Sequence, residues 1–148
     1  MSAVNAFEDA LLDLLFLNIA IANIGDATGL TASTGAGSTQ LSLHSTALSD
    51  TTADLTVNQL SYTGYGRQTQ PRSASGWDSG TQGQVSNAAL EQFGNMTAGG
   101  PVTAVHVGCG LLATGDVIRL HADLAADLVI NNGINPQFAI GALVWTLD

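Results

Sequence analysis

Apolar positions along this chain change their spacing after the N-terminal segment. Phe7, Leu11, Leu14 and Leu15 recur at i, i+3 and i+4, with Asn18 continuing the row, and this is the stripe of an amphipathic helix. Asn5 ahead of the stripe and Glu8 three residues later form a variant of the capping box, so a helix is predicted over residues 5–17. Glu8, Asp9 and Asp13 are expected to stay wet, while the stripe meets either the chain's own sheet or a neighbouring subunit.

Beyond the helix the pattern turns to short runs with period two. Residues 25–39 are small and Gly-rich without periodicity, and predict an irregular loop or an extended arm. Leu41 and Leu43 alternate with Gln40, Ser42 and His44, as in a half-buried strand, and residues 45–54 then read as a loop. Residues 55–62 and 63–70 are candidate strands, Pro71 marks a turn, and Trp77 opens a further strand ahead of a Gly-rich turn at 79–83. Val102–Val107 is β-branched. Ile118, Leu120, Ala122 and Leu124 alternate with Arg119, His121 and Asp123, and Leu128–Ile130 adds a short strand. Asn131–Pro136 is a strong turn signal. Phe138–Leu147 is apolar on both faces and predicts a central or doubly covered final strand, with Ile140 and Val144 on one side and Leu143, Trp145 and Leu147 on the other.

Short strands separated by turns predict a mainly β fold, an antiparallel β-sandwich or barrel with one N-terminal amphipathic α-helix. The length of 148 residues suits a single domain over 1–148, with 40–148 as its β-rich body.

Composition then narrows the functions. The chain has no Lys, and Arg67, Arg72 and Arg119 stand against twelve acids for a net charge of −9. Phosphate backbones and anionic bilayers repel such a chain, so neither a nucleic acid nor a membrane is expected as a partner. Missing Lys also removes P-loop and Schiff-base chemistry. Only 10% of residues are charged while 45% are hydrophobic, a surface that favours association with copies or partners. Asp13, Asn18 and Asn23 interrupt the leucine-rich start, and no basic residue precedes it, which fits neither a membrane span nor an export signal.

No constellation for catalysis stands out. Cys109 is single and sits in an apolar run, as a small buried hydrophobe does. His44, His106 and His121 lack zinc-site spacing, so a metal site would have to assemble across strands. Asp78-Ser79-Gly80 repeats the text around a trypsin-like nucleophile over three residues only, and reads as a turn. Asp50 and Asp54 lack the remaining features of an EF-hand, and nothing singles out a pair of acids for glycoside hydrolysis. Asn95-Met96-Thr97 spells a sequon. Tyr62, Tyr65, Arg67 and Arg72 form the one aromatic and basic cluster, suited to salt bridges or cation–π packing against an acidic neighbour. No catalytic residue, metal or cofactor is expected.

Several segments in order resemble a family of small structural proteins of long-tailed double-stranded DNA bacteriophages, often described as tail-fibre-like. They are NAFEDALLDLLF, LSLH, YTGYGR, SNAALEQF, VTAVHVG and GINPQFAIGALVWTLD, spread over nearly the whole chain. Gly66 stands where relatives tend to carry Ala, and residues 45–61 lack a Pro-Gly turn expected after the first strand. The resemblance implies a β-sandwich virion component without catalytic residues, and in some members a decoration or cement protein clamping the outside of the shell. The expected function is therefore a non-enzymatic virion structural protein, foremost a capsid decoration protein bound to the major capsid protein and to itself as a homotrimer. Its contacts would be Phe7, Leu11, Leu14 and Leu15 on the helix and Tyr65, Arg67 and Arg72 on the body. The alternative is a tail-associated fibre or host-surface module touching glycan through the loops at 45–54 and 78–83. A cell-envelope hydrolase would need an essential acid or Ser79.

Overall fold

The computed structural model describes residues 3–52, 54–112 and 115–147. Ala53 of the 45–54 loop and Asp148 of the closing segment lie outside these. The fold is mainly β: helix α1 (Asn5–Leu12) runs into a π-helical turn (Asp13–Leu17), and strands follow at β1 (Ser38–His44), β2 (Gln68–Pro71), β3 (Gln84–Ser86), β4 (Glu91–Gln92), β5 (Val102–Gly110), β6 (Leu120–Ile130), β7 (Gln137–Phe138) and β8 (Val144–Thr146). The chain divides into two compact units. One comprises the stretch ending at Ser38, Gln70–Glu91 and the stretch beginning at Phe138; the other comprises Thr39–Thr69 and Gln92–Gln137.

In the first unit the helical segment covers the span that periodicity predicts, but its start and its inner face differ. Val4 occupies the N-cap and no side chain caps the helix, so the Asn5–Glu8 capping box does not form. Leu12 and Phe16 are fully buried and Glu8 is buried beside them, an i, i+4, i+8 row. Phe7 is 42% exposed, and Leu11, Leu14 and Leu15 are half-buried. The segment from Leu11 to Leu17 is apolar nearly all round, so its pattern leaves the inward face undetermined. Phe16 packs in a tilted pair against the buried Trp77 with ring centroids 4.6 Å apart and an interplanar angle of 58°, a pair worth about 1 kcal/mol beyond its area.

The helix acids are not simply wet. Asp13 accepts from the backbone N–H of Gly80 at 2.6 Å and Asp9 from that of Gly83 at 2.7 Å, so both hold the 79–83 turn. Residues 18–33 close on themselves: Asn18 exchanges two 2.8 Å bonds with the backbone of Ser33, and Ile21 pairs with Leu30.

The final strand is shorter than predicted. Only Val144–Thr146 is extended, and it pairs with β3 alone, so it is not central. Leu143 and Trp145 share the buried side, whereas Ile140 and Val144 are 67% and 44% exposed.

The second unit is built on antiparallel β1, β5 and β6, with β2 edging β1. The predicted strands over 118–124 and 128–130 join into one. Ala104 pairs with Leu128 and His106 with Asp123, so Val105 stands opposite the four residues from Leu124 to Asp127. Such a bulge on an edge strand resists pairing with other chains. The candidate strands at 55–62 and 63–70 do not form as read. Residues 55–58 are turns, Gln59 and Thr63 make isolated bridges, and extension resumes only at β2. Here Asp54 accepts from both the backbone N–H and the hydroxyl of Thr56, each at 2.7 Å, a local turn that outcompetes a strand ladder.

Candidate functional site

Cross-strand register puts the chain's polar strand residues on one face. His44 pairs with His106 and His106 with Asp123; Ser42 pairs with Gly108 and Gly108 with His121. Directly opposed residues share a face, so all three histidines lie together, while Leu41, Leu43, Val107 and Cys109 occupy the other side. No local spacing links these histidines, and sequence reading missed the group. The only signal was the alternation of Arg119, His121 and Asp123.

On β1 this polar face is buried rather than wet, contrary to the half-buried expectation: Ser42 and His44 have no exposed area, and Gln40 is nearly covered. The His44 ring donates from Nδ1 to the Val57 carbonyl at 2.8 Å, which leaves Nε2 to accept from the Ser42 hydroxyl at 2.7 Å. Burial, more than any other influence, holds His44 below the ordinary histidine range. Gly108 leaves the room required, since a Cβ there would come within 2.9 Å of His44 Nε2 and of Leu55. Ser42 and His44 resemble a nucleophile and its base, yet they are sealed from substrate.

Toward β6 the face forms a relay. Asp123 Oδ1 lies 2.7 Å from His106 Nδ1, His106 Nε2 lies 3.0 Å from His121 Nδ1, and His121 Nε2 lies 3.3 Å from Asp50 Oδ1. Two neutral imidazoles carry two N–H groups, so all three contacts are filled together only when the ring pair holds one extra proton. Beyond His121 a cleft of about 310 Å³ opens, lined by Asp50, Thr52, Ile118, Arg119, Leu120 and His121. Leu48, Leu55 and Ile118 cluster beneath its loop, and the Leu55 N–H bonds the Asp116 carbonyl at 2.6 Å.

The YTGYGR segment organises the second unit. The Tyr62 hydroxyl donates to the Gly94 carbonyl at 2.9 Å, and the Tyr65 hydroxyl accepts from the Leu43 N–H at 2.9 Å. Burial pushes Tyr65 up to about 12. Gly64 has φ +101°, and a Cβ there would collide with the Asn95 carbonyl. A Cβ on Gly66 would meet nothing within 4 Å, so an Ala would fit there.

Arg67 and Arg72, the cations expected to meet an acidic neighbour, are both engaged inside the chain. Arg67 pairs with Asp116 at 2.7 Å and donates to the Gln59 and Gln40 side chains and the Gly115 carbonyl. Arg72 donates to the carbonyls of Leu14 and Leu15 at 2.6 Å and of Ala36 at 3.0 Å, capping the end of the helical segment. Arg119 is exposed and, among the described residues, makes no side-chain bond.

In the first unit, Asp78, Ser79, Thr81, Gln82, Gln84 and Ser86 line a second polar cleft of about 360 Å³ with Val85, Gly141 and Val144. The Ser79 hydroxyl donates to Asp13 at 3.1 Å, and no histidine is bonded to it. Trp77, the aromatic nearest this loop, is buried and offers no stacking surface. Buried Glu91 has no close hydrogen-bond partner on either oxygen, and burial pushes it up to about 7 against a smaller lowering by a looser hydrogen bond from the Gln70 side chain. Among the described residues no three His, Cys, Asp or Glu side chains converge as metal ligands, and no helix is long and apolar enough to cross a membrane.

The family model described as podophage GP4 fiber I protein gp80 matches residues 2–146, nearly the whole chain, and the protein belongs to that family. The tail-fibre part of the resemblance thus has direct support, with a podophage in the family's name where the resemblance ran to long-tailed phages. No curated protein matches.

Proposed function

We propose that this protein is a non-catalytic component of a phage tail fibre that associates with copies of itself and meets the host surface. The observation that carries this reading is the family match over residues 2–146 to a fibre protein. It favours the fibre over the capsid decoration and major capsid protein contact that the resemblance also allowed. The bonding pattern agrees: the Ser42–His44 pair is enclosed, Cys109 is buried, and Ser79 is tied to Asp13.

Self-association draws on the outer side of the helix. Val4 and Phe7 are exposed there, and Leu11, Leu14 and Leu15 are partly so, whereas the donors of Arg67 and Arg72 are committed internally. A homotrimer is the grouping to test first, because repeated contacts stabilise many weak copies. Host contact draws on the two polar clefts, each on one of the loops at 45–54 and 78–83.

Gold-labelled antibody against the chain, imaged on intact particles by electron microscopy, tests the assignment. Label on tail appendages is expected. Regular label over the icosahedral shell would instead establish the decoration reading.

A further inference from the structure

The geometry points to the cleft beside β6 as a binding site for a saccharide unit bearing a single carboxylate, such as a uronic acid. The first ground is the disposition of positive charge. Of three arginines in a chain of net charge −9, two are bonded inside, and only Arg119 presents an unengaged guanidinium among the described residues. On so acidic a surface one guanidinium cannot steer an anion from a distance. It acts at contact range, where its planar fork matches a carboxylate with two parallel hydrogen bonds.

The second ground is what surrounds it. The cleft holds about 310 Å³, at the small end of ligand sites and suited to one sugar ring with its substituents. Asp50, fully exposed, and Thr52 offer acceptors and a hydroxyl in the same lining as Arg119, while Ile118 and Leu120 contribute apolar wall. A mixture of one fixed cation, separate acceptors and a short apolar surface matches ring hydroxyls, a carboxylate and C–H groups on one small molecule. Asp50 would repel a doubly charged phosphate entering the same cleft about twice as strongly as a monoanion, so a sugar with a single carboxylate fits better than phosphate.

The third ground is preorganisation. His121 is held by His106, which is held by Asp123 across the β5–β6 ladder, so the cleft wall is set before any ligand arrives. The inference rests on the fibre reading only for its setting at the host surface.

The test is titration of the full chain with glucuronic acid, with glucose and inorganic phosphate as parallel arms, followed by two-dimensional NMR. Saturable shifts confined to residues near 50–52 and 118–121 are expected, with glucuronate binding at least about tenfold tighter than glucose. Arg119→Gln should weaken glucuronate by about tenfold or more with the spectrum otherwise unchanged, and Arg119→Lys should restore part of the loss. The inference is overturned by an absence of saturation, by phosphate matching glucuronate, by unchanged binding in Arg119→Gln, or by self-association that protects the same residues. Tail labelling without glucuronate binding would remove this inference alone. Glucuronate binding with label on the shell would remove the fibre reading alone.

Discussion

On β1, His44, Ser42 and Gln40 are buried and each is bonded, whereas on β4 Glu91 is buried and neither carboxyl oxygen has a close partner. Both positions are polar residues next to apolar ones in short strands. The difference is supply: β1 is overlaid by the turn carrying Val57 and by the Arg67 guanidinium, while Glu91 has only a looser hydrogen bond from Gln70, outweighed by burial. Removing a polar group from water is tolerable where the protein replaces the lost bonds and destabilising where it does not. Opposite signs are therefore expected on mutating the two sites.

The largest effect should come from His44→Leu, which leaves the Val57 carbonyl and the Ser42 hydroxyl without their partner. A loss on the order of 2–4 kcal/mol is expected in urea unfolding, and a neutral result would show that the bonded polar face contributes nothing. The native His44 also adds an acid limb. Its folded form resists protonation, so the unfolded chain takes up more protons and stability falls as pH drops below about 6.5.

Next is Glu91→Gln, expected to stabilise at pH 8. The folded carboxyl keeps its proton up to about 7 while the unfolded one loses it near 4.5, so the folded state binds more protons between these values. Stability from this group is thus fully present below the lower value and lost as pH rises through the window. The variant should gain about 2–3 kcal/mol at pH 8 and almost nothing at pH 4. A gain that is the same at both pH values would mean that packing, not ionisation, governs Glu91.

Tyr65→Phe should have the smallest effect, about 1–2 kcal/mol lost, because it strands the Leu43 N–H while keeping the ring. Faster hydrogen exchange at Leu43 would locate the loss. Unchanged exchange would mean that another acceptor takes the hydroxyl's place.

The candidate cleft was only partly legible. The loop at 45–54 and the outward run of Arg119, His121 and Asp123 could be read locally, but Asp50 and His121 are 71 residues apart, and their meeting depends on strand register. Likewise Arg67 and Arg72 advertise charge in sequence, and nothing local indicates that Asp116 and the helix-end carbonyls consume it. The turn at 55–58 defeated the strand reading because a side-chain bond from Asp54 to Thr56 competes with the ladder, and alternation does not register such competition.

By itself the sequence determined the elements whose stability is local: the helical segment over 5–17, the strand around LSLH, the β-branched strand from Val102 and the turn at 131–136. Periodicity and turn chemistry act between neighbours and are written in order along the chain. Which face of the leucine-rich helix turns inward, whether the polar side of β1 meets water, and how three distant histidines come to share one sheet face were decided only by tertiary structure. Those outcomes depend on long-range pairing and on what covers each surface, which no spacing within a segment encodes.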